Sequence, residues 1–266
     1  MGANTSIPGS NPGLSANWEP ALHVLTTRTD TMDGEFLIVK NIAREGPGLL
    51  EAILEERQIS YEVVDLESGQ AFPPVRACSA LVVLGGPDSA NDETRKMRIE
   101  LARIEECLGL GKPYLGICLG MQALVKAGGG KVVKSPTREV GFRDPEGRFF
   151  EVDLTEDGGR DPLFNNVQGS FKVFHLHGET VELTGTMKLL GTGRFCRNQI
   201  ARVGEHAYGL QCHVELTPLM LNVWIREDPD LGQLDQEGLW TAFRQIQEEY
   251  ARVGRQLLEN FVGIAT

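Results

Sequence analysis

Cys118 stands between two glycines in PYLGICLGMQAL (113–124), where an apolar run reads as a strand giving way to a helix. A thiol placed there is a candidate nucleophile. Glycines two residues before and after it have the spacing of the G-x-S-x-G nucleophile turn, a bend tight enough to push the side chain outward. The N-terminus of the following helix offers unpaired N–H groups and a positive dipole end, which lower a thiol's pKa and stabilise developing negative charge. Taken alone, the motif also fits a buried structural Cys at a strand end. A nucleophile needs a base, and the base needs an orienting partner. YGLQCHVELTP (208–218) offers His213 and Glu215, two apart on an expected strand and therefore on one face. Glu215 would accept a hydrogen bond from one ring nitrogen and leave the other facing Cys118. Such a pair alone also fits a solvated strand face; the three residues together point to thiol catalysis.

Other residue patterns have simpler readings. His175 and His177 share a strand face, but no third metal ligand follows at a characteristic spacing, so they are expected to be satisfied or pocket-lining histidines and no metal site is assigned. LGGPDSA (84–90) superficially resembles a pyrophosphate-gripping S-G-G-x-D-S loop, yet Leu84 replaces the serine and Pro87 stiffens the turn. AGGGK (127–131) lacks P-loop spacing and reads as a helix-ending turn, and GTGRFC as a turn between strands. Strand alternation should send Cys212 to the face opposite His213, into the core. Cys78, Cys107 and Cys196 read as packing or surface residues, and Trp224 and Trp240 as seats for C-terminal helices.

The elements that must position these groups follow from periodicity. FLIVKNI, YEVVDL (61–66), ALVVLGG (80–86) and PYLGIC (113–118) are strand candidates. PGLLEAILEER puts Leu49, Leu50, Ile53 and Leu54 on one helical stripe, with Pro47 near its start, and NDETRKMRIELARIEECLGLGK has helical spacing and a Gly-rich stop. Alternating strands and helices predict an α/β fold with a mostly parallel central sheet flanked by helices, and Cys118 at the carboxyl end of a strand, where such sheets carry their reactive groups. Additional β-strands fill the second half: EVGF, FFEVDL, FKVFHLHG, MKLLGTG, NQIARVG and AYGLQCHVE. A last helix is expected from about Gln233 to Phe261.

With 266 residues, 41% hydrophobic and 24% charged, the chain has the size and composition of one soluble globular domain. Its net charge of −11 argues against a nucleic-acid surface. No stretch is apolar enough to span a bilayer, and no signal peptide is seen, so the cytoplasm is expected. Five cysteines without CxxC spacing predict free thiols. Residues 1–33, rich in Gly, Ser, Asn and Pro, read as a flexible leader or expression-derived extension, leaving residues 34–266 as the domain.

LVVLGGPDS, KPYLGICLGMQALVKAGGGKVVKSPTREVGF, VFHLHGETVEL and CRNQIARVGEHAYGLQCHVELTP together resemble the class I, or triad, glutamine amidotransferases, in that family's order and over roughly residues 34–263. The resemblance implies the family's flavodoxin-like α/β fold. It further implies that Cys118 attacks the side-chain amide of L-glutamine, that His213 serves as base and then acid, and that Glu215 holds the imidazole tautomer, giving a thioester and ammonia before water releases glutamate. It puts the oxyanion hole on the backbone N–H groups of Gly86 and Leu119, and the glutamine pocket on Gln122, Gly178 and Glu179. Leu176, Glu179 and Val214 depart from the family's frequent Trp, Asp and Pro, which touches the pocket's shape and the subfamily rather than a reacting group. No cofactor is implied. With no synthetase module in sight, the expected reading is a stand-alone domain, resembling the glutaminase part of GMP synthase, that supplies ammonia to a synthetase subunit in trans. A hydrolase of γ-glutamyl amides or peptides and a catalytically silent regulatory module are the alternatives.

Overall fold

The computed structural model describes Met1 and residues 35–266; apart from Met1, the leader expected over residues 1–33 lies outside the described residues. The chain runs β1 (Phe36–Lys40), α1 (Leu49–Glu56), β2 (Tyr61–Asp65), β3 (Ala80–Val83), α2 (Arg95–Gly109), β4 (Tyr114–Ile117) and α3 (Leu119–Ala127). It continues through β5 (Lys131–Gly141), β6 (Glu151–Leu154), β7 (Ser170–Lys172), β8 (His175–Glu182), β9 (Lys188–Thr192), β10 (Asn198–Val203) and β11 (Ala207–Leu210), and ends with α4 (Pro218–Glu227) and α5 (Gln236–Ala265).

A nine-stranded sheet in the order β2-β1-β3-β4-β11-β10-β9-β6-β7 forms the centre. The strands from β2 to β11 are parallel, whereas β10, β9, β6 and β7 join by antiparallel pairing. The α/β sheet flanked by helices matches the expectation, and its second half is where the chain turns antiparallel. β1 shows why the parallel part reads as an unbroken apolar run. Phe36 and Ile38 face the layer holding α1 and the C-terminal half of α5, while Leu37 and Val39 face α2 and α3. Leu50, Ile53 and Leu54 are the buried stripe of α1. In α2, the Thr94 hydroxyl accepts from the Met97 N–H at 3.1 Å and caps the first turn.

Three segments depart from the sequence expectation. FKVFHLHG is two strands: β7 joins the main sheet, while β8 leaves it and pairs antiparallel with β5 in a separate ribbon. EVGF is only the end of the 11-residue β5. AYGLQCHVE stops being a strand at Leu210, and His213 is held beyond it by a single bridge to Phe174. The segment after Thr217 forms α4; the Thr217 cap on Met220 N–H (3.2 Å) and Pro218 at the first helical position were its local signals. A third apolar cluster joins α4 to the N-terminal half of α5 through Trp224, Phe243 and Tyr250. None of the described helices is long and apolar enough to cross a membrane.

Candidate active site

The carboxyl ends of β1, β3, β4 and β11 lie side by side, because those strands are parallel neighbours. Cys118 occupies the single residue between β4 and α3, with φ 52° and ψ −106°, a conformation that is costly for any side chain and tolerated where surrounding packing enforces it. The flanking glycines enforce it by close approach. A Cβ on Gly116 would lie 2.4 Å from the Gly120 carbonyl, and one on Gly120 would lie 2.1 Å from the Val83 oxygen. α3 is thereby pressed against β3 and β4, and its free N-terminal N–H groups come up beside the sulfur. The Cys118 N–H donates to Leu210 O at 2.7 Å, tying the turn to the end of β11.

His213 and Glu215 reach the same place from the loop after β11. His213 Nδ1–H donates to Glu215 Oε1 at 2.7 Å, and the second carboxylate oxygen accepts from the Val214 N–H at 2.9 Å. This fixes which ring nitrogen is left for the sulfur. The paired side chains emerge together as expected, but through loop hydrogen bonding rather than strand alternation. The imidazole is held from three sides: its backbone bridges Phe174, its carbonyl accepts from Tyr250 OH at 2.9 Å, and Trp224 meets the ring edge-on with centroids 4.9 Å apart. Trp224 thus seats the candidate base as well as the helices. Burial, the largest influence, disfavours charge on His213, but the Glu215 carboxylate and the hydrogen-bonded Cys118 side chain outweigh it and lift its pKa well above the ordinary value.

Of the remaining expected residues, Gly86, Gln122, Gly178 and Glu179 line one cavity of about 550 Å³ together with Cys118, whereas Leu119 is not part of its lining. A Cβ on Gly86 would lie 3.4 Å from the Leu119 side chain, so the two candidate oxyanion residues are spatial neighbours. Gln122 Nε2 donates to Glu179 O at 3.2 Å and to Gln211 Oε1 at 3.3 Å, and Gln211 Nε2 lies 3.8 Å from Cys118 Sγ. Cys212 is fully buried in the core, as alternation suggested, and all five cysteines are free and buried.

Two features escaped sequence reasoning. Glu45 lines the cavity 5% exposed, with Oε2 making no hydrogen bond. That oxygen and His213 Cε1 flank Gly85, at 2.1 and 3.3 Å from the position of a Cβ built there. Burial raises its pKa to about 7, the nearby His213 pulling it down and Glu215 pushing it up. Its signal was the acid opening the Glu-Gly-Pro-Gly turn before α1, unassigned by any motif. The second is Glu139, which cross-strand pairing sets opposite His177. Together with His175 it forms a buried trio whose candidate ligand atoms lie within 4.8 Å of one another. The missing third ligand lay 38 residues before His177 in sequence, where no spacing rule looks.

The family model described as "Glutamine amidotransferase class-I" matches residues 48–221, more than half of the chain and spanning Cys118, His213 and Glu215. The chain belongs to that family. A glutamine amidotransferase-like protein of Salmonella typhimurium, YfeJ, is 31% identical over 61% of this chain and 68% of its own length. The GMP synthase of Aliivibrio fischeri is 27% identical over 66% of this chain, which spans only 32% of that longer enzyme. Among solved structures, a Thermotoga maritima glutamine amidotransferase superposes with a TM-score of 0.76 at 27% identity, covering 86% of this chain and 97% of its own. The family membership and the α/β amidotransferase fold thus agree with the resemblance carried by the sequence motifs.

Proposed function

We propose that this class I amidotransferase is a thiol-dependent glutaminase that hydrolyses L-glutamine to glutamate and ammonia in the cytoplasm and passes the ammonia to a separate synthetase subunit. The observation that carries the reading is the His213–Glu215 bond at 2.7 Å, in a chain segment that also brings the imidazole to Cys118. The Cys118 thiolate attacks the side-chain carbonyl carbon, and the carbonyl's π electrons move to oxygen, facing the Gly86 and Leu119 N–H groups. His213 gives its proton to the leaving nitrogen as the C–N bond breaks, releasing ammonia and leaving a γ-glutamyl thioester. The neutral imidazole then takes a proton from water, whose oxygen attacks the thioester; glutamate leaves and the thiolate–imidazolium pair returns. Glu215 stays ionised and steadies the ring through both steps. Gln122 and the Gly178–Glu179 backbone line the substrate's path, and the reaction as written uses no cofactor.

One observation favours a second reading. A cavity of about 550 Å³ is in the range that holds drug-sized ligands, so a γ-glutamyl amide or peptide larger than glutamine is accommodated by the same chemistry. Purified protein and its Cys118→Ala variant are to be incubated with glutamine and with γ-glutamyl peptides. Ammonia from glutamine, lost in the variant, supports the glutaminase. Peptide cleavage alone supports the second reading. If both substrates stay intact even with an ATP-dependent partner recovered by pull-down, the domain is a binding module.

A further inference from the structure

We infer that Glu139, His175 and His177 form a binding site for a first-row divalent cation of the zinc type, which ties the β5–β8 ribbon to the wall of the catalytic cavity. The donor set is two imidazole nitrogens and one carboxylate oxygen. This mixture suits zinc or cobalt and is poor for magnesium or calcium, which take oxygen ligands.

The hydrogen bonding around the trio makes it a site rather than a chance cluster. His177 Nδ1 lies 3.0 Å from Glu179 O; a carbonyl only accepts, so Nδ1 carries the ring proton. In the metal-binding form Nε2 bears a lone pair, and it faces the Glu139 carboxylate at 2.9 Å. This Nε2 makes no hydrogen bond despite the short distance. Two electron-rich atoms this close in a dry interior repel unless a cation lies between them. His175 Nε2 stands 3.8 Å from the same Glu139 Oε2, and its side chain is 1% exposed. A tetrahedral ion with bonds of about 2.0–2.2 Å separates its ligand atoms by about 3.3 Å. The observed 2.9 and 3.8 Å bracket that value and all three ligand atoms lie within 4.8 Å of one another, so closing the trio to tetrahedral spacing takes side-chain shifts of at most about 1.5 Å.

The surroundings have the features of an outer shell. Glu179 O fixes the His177 tautomer, and Gln199 Nε2 donates to Glu139 Oε2 at 3.0 Å. The Cys196 N–H reaches the other carboxylate oxygen at 3.4 Å. Glu139 also lines a second cavity of about 560 Å³, which Cys118 does not line. The ion takes no part in bond breaking; it fixes the strand that carries Leu176, Gly178 and Glu179 along the catalytic cavity.

The test uses the full chain in a Cys118→Ser background, which removes the competing thiol–imidazole ligand pair. After dialysis against chelator, the protein is titrated with Co2+ and then Zn2+. One Co2+ per chain is expected, with visible d–d absorption and no thiolate charge-transfer band, displaced by Zn2+ and accompanied by a rise in the thermal midpoint. Losing an outer-shell partner alone weakens metal sites by about 10–100-fold, so His175→Gln and Glu139→Gln are expected to weaken Co2+ by more than about a hundredfold. Circular dichroism checks that both variants fold. Should either not fold, the sulfur-free spectrum of the parent protein decides. Absence of the d–d band, a thiolate band, or undiminished binding in a folded variant overturns the inference; a binding-silent trio is then a buried His177–Glu139 ion pair.

Discussion

On one side of the cavity Cys118 rides a turn whose backbone is pinned by contacts that exclude even a methyl group at Gly116 and Gly120. On the other, Leu176 to Glu179 ride a ribbon strand whose partner, β5, slips register between Lys134 and Glu139. The first side is rigid because main chain meets main chain, and it aims a single atom. The second is set by cross-strand side-chain pairing, which adjusts more readily and shapes what the atom meets. Under the proposed function, chemistry and recognition fall on two constructions of different stiffness, and substitutions on the two sides should differ in kind.

The largest effect is expected on the rigid side. Cys118→Ala should lower kcat for glutamine by at least about 10⁴-fold with the fold intact by circular dichroism; residual turnover above that level removes the thiol from the chemistry. Glu215→Gln leaves an amide that cannot stabilise the imidazolium, and kcat should drop by about 10²–10⁴-fold in a steady-state assay. A loss below tenfold would mean that Trp224 and Tyr250 orient the ring unaided.

Beneath the turn, Glu100 is fully buried, accepts from Asn41 Nδ2 at 3.1 Å, and has its pKa raised to about 7, first by burial and against the Asn41 hydrogen bond. A carboxyl raised from 4.5 to about 7 binds its proton more tightly in the folded chain, so its contribution to stability is complete in acid and is lost as pH rises between those values. Glu100→Gln should therefore raise stability at pH 8 by up to about 3 kcal/mol and leave it unchanged below pH 4. Urea melts at the two pH values check this, and equal gains at both would remove the buried charge as the cause.

Gln122→Ala, on α3, removes the link across to Glu179 O on the ribbon and should raise KM for glutamine about tenfold with kcat within a few fold. A change in kcat alone would erase the distinction between the two sides. The smallest effect belongs to Glu45. Its ionisation near pH 7 adds negative charge beside His213 and favours the imidazolium–thiolate pair, so activity should climb through that range. Glu45→Gln should lack the inflection while changing the maximal rate less than about tenfold.

Much of this was legible in the chain itself. The apolar runs that became β1, β3 and β4 are buried on both faces, and such strands need no partner to be recognised. Gly-Ile-Cys-Leu-Gly marked the strand-to-helix turn because the steric constraint acts between near neighbours. α4 is not legible in the sequence despite its Thr-Pro cap, since its apolar face matches Phe174 and Phe243 from distant segments. FKVFHLHG read as one strand because alternation continues through it; nothing local says that β8 departs for another sheet.

The sequence by itself determined which residues are the candidate nucleophile, base and orienting acid, and that strands and helices alternate through the first half, because covalent neighbours decide where a tight turn and a helix N-terminus occur. Only the tertiary structure decided that Glu45 lies beside His213 and that Glu139 meets His175 and His177. Those meetings depend on loop packing and on a shifted antiparallel register, and neither leaves a fixed spacing along the chain for a reader to find.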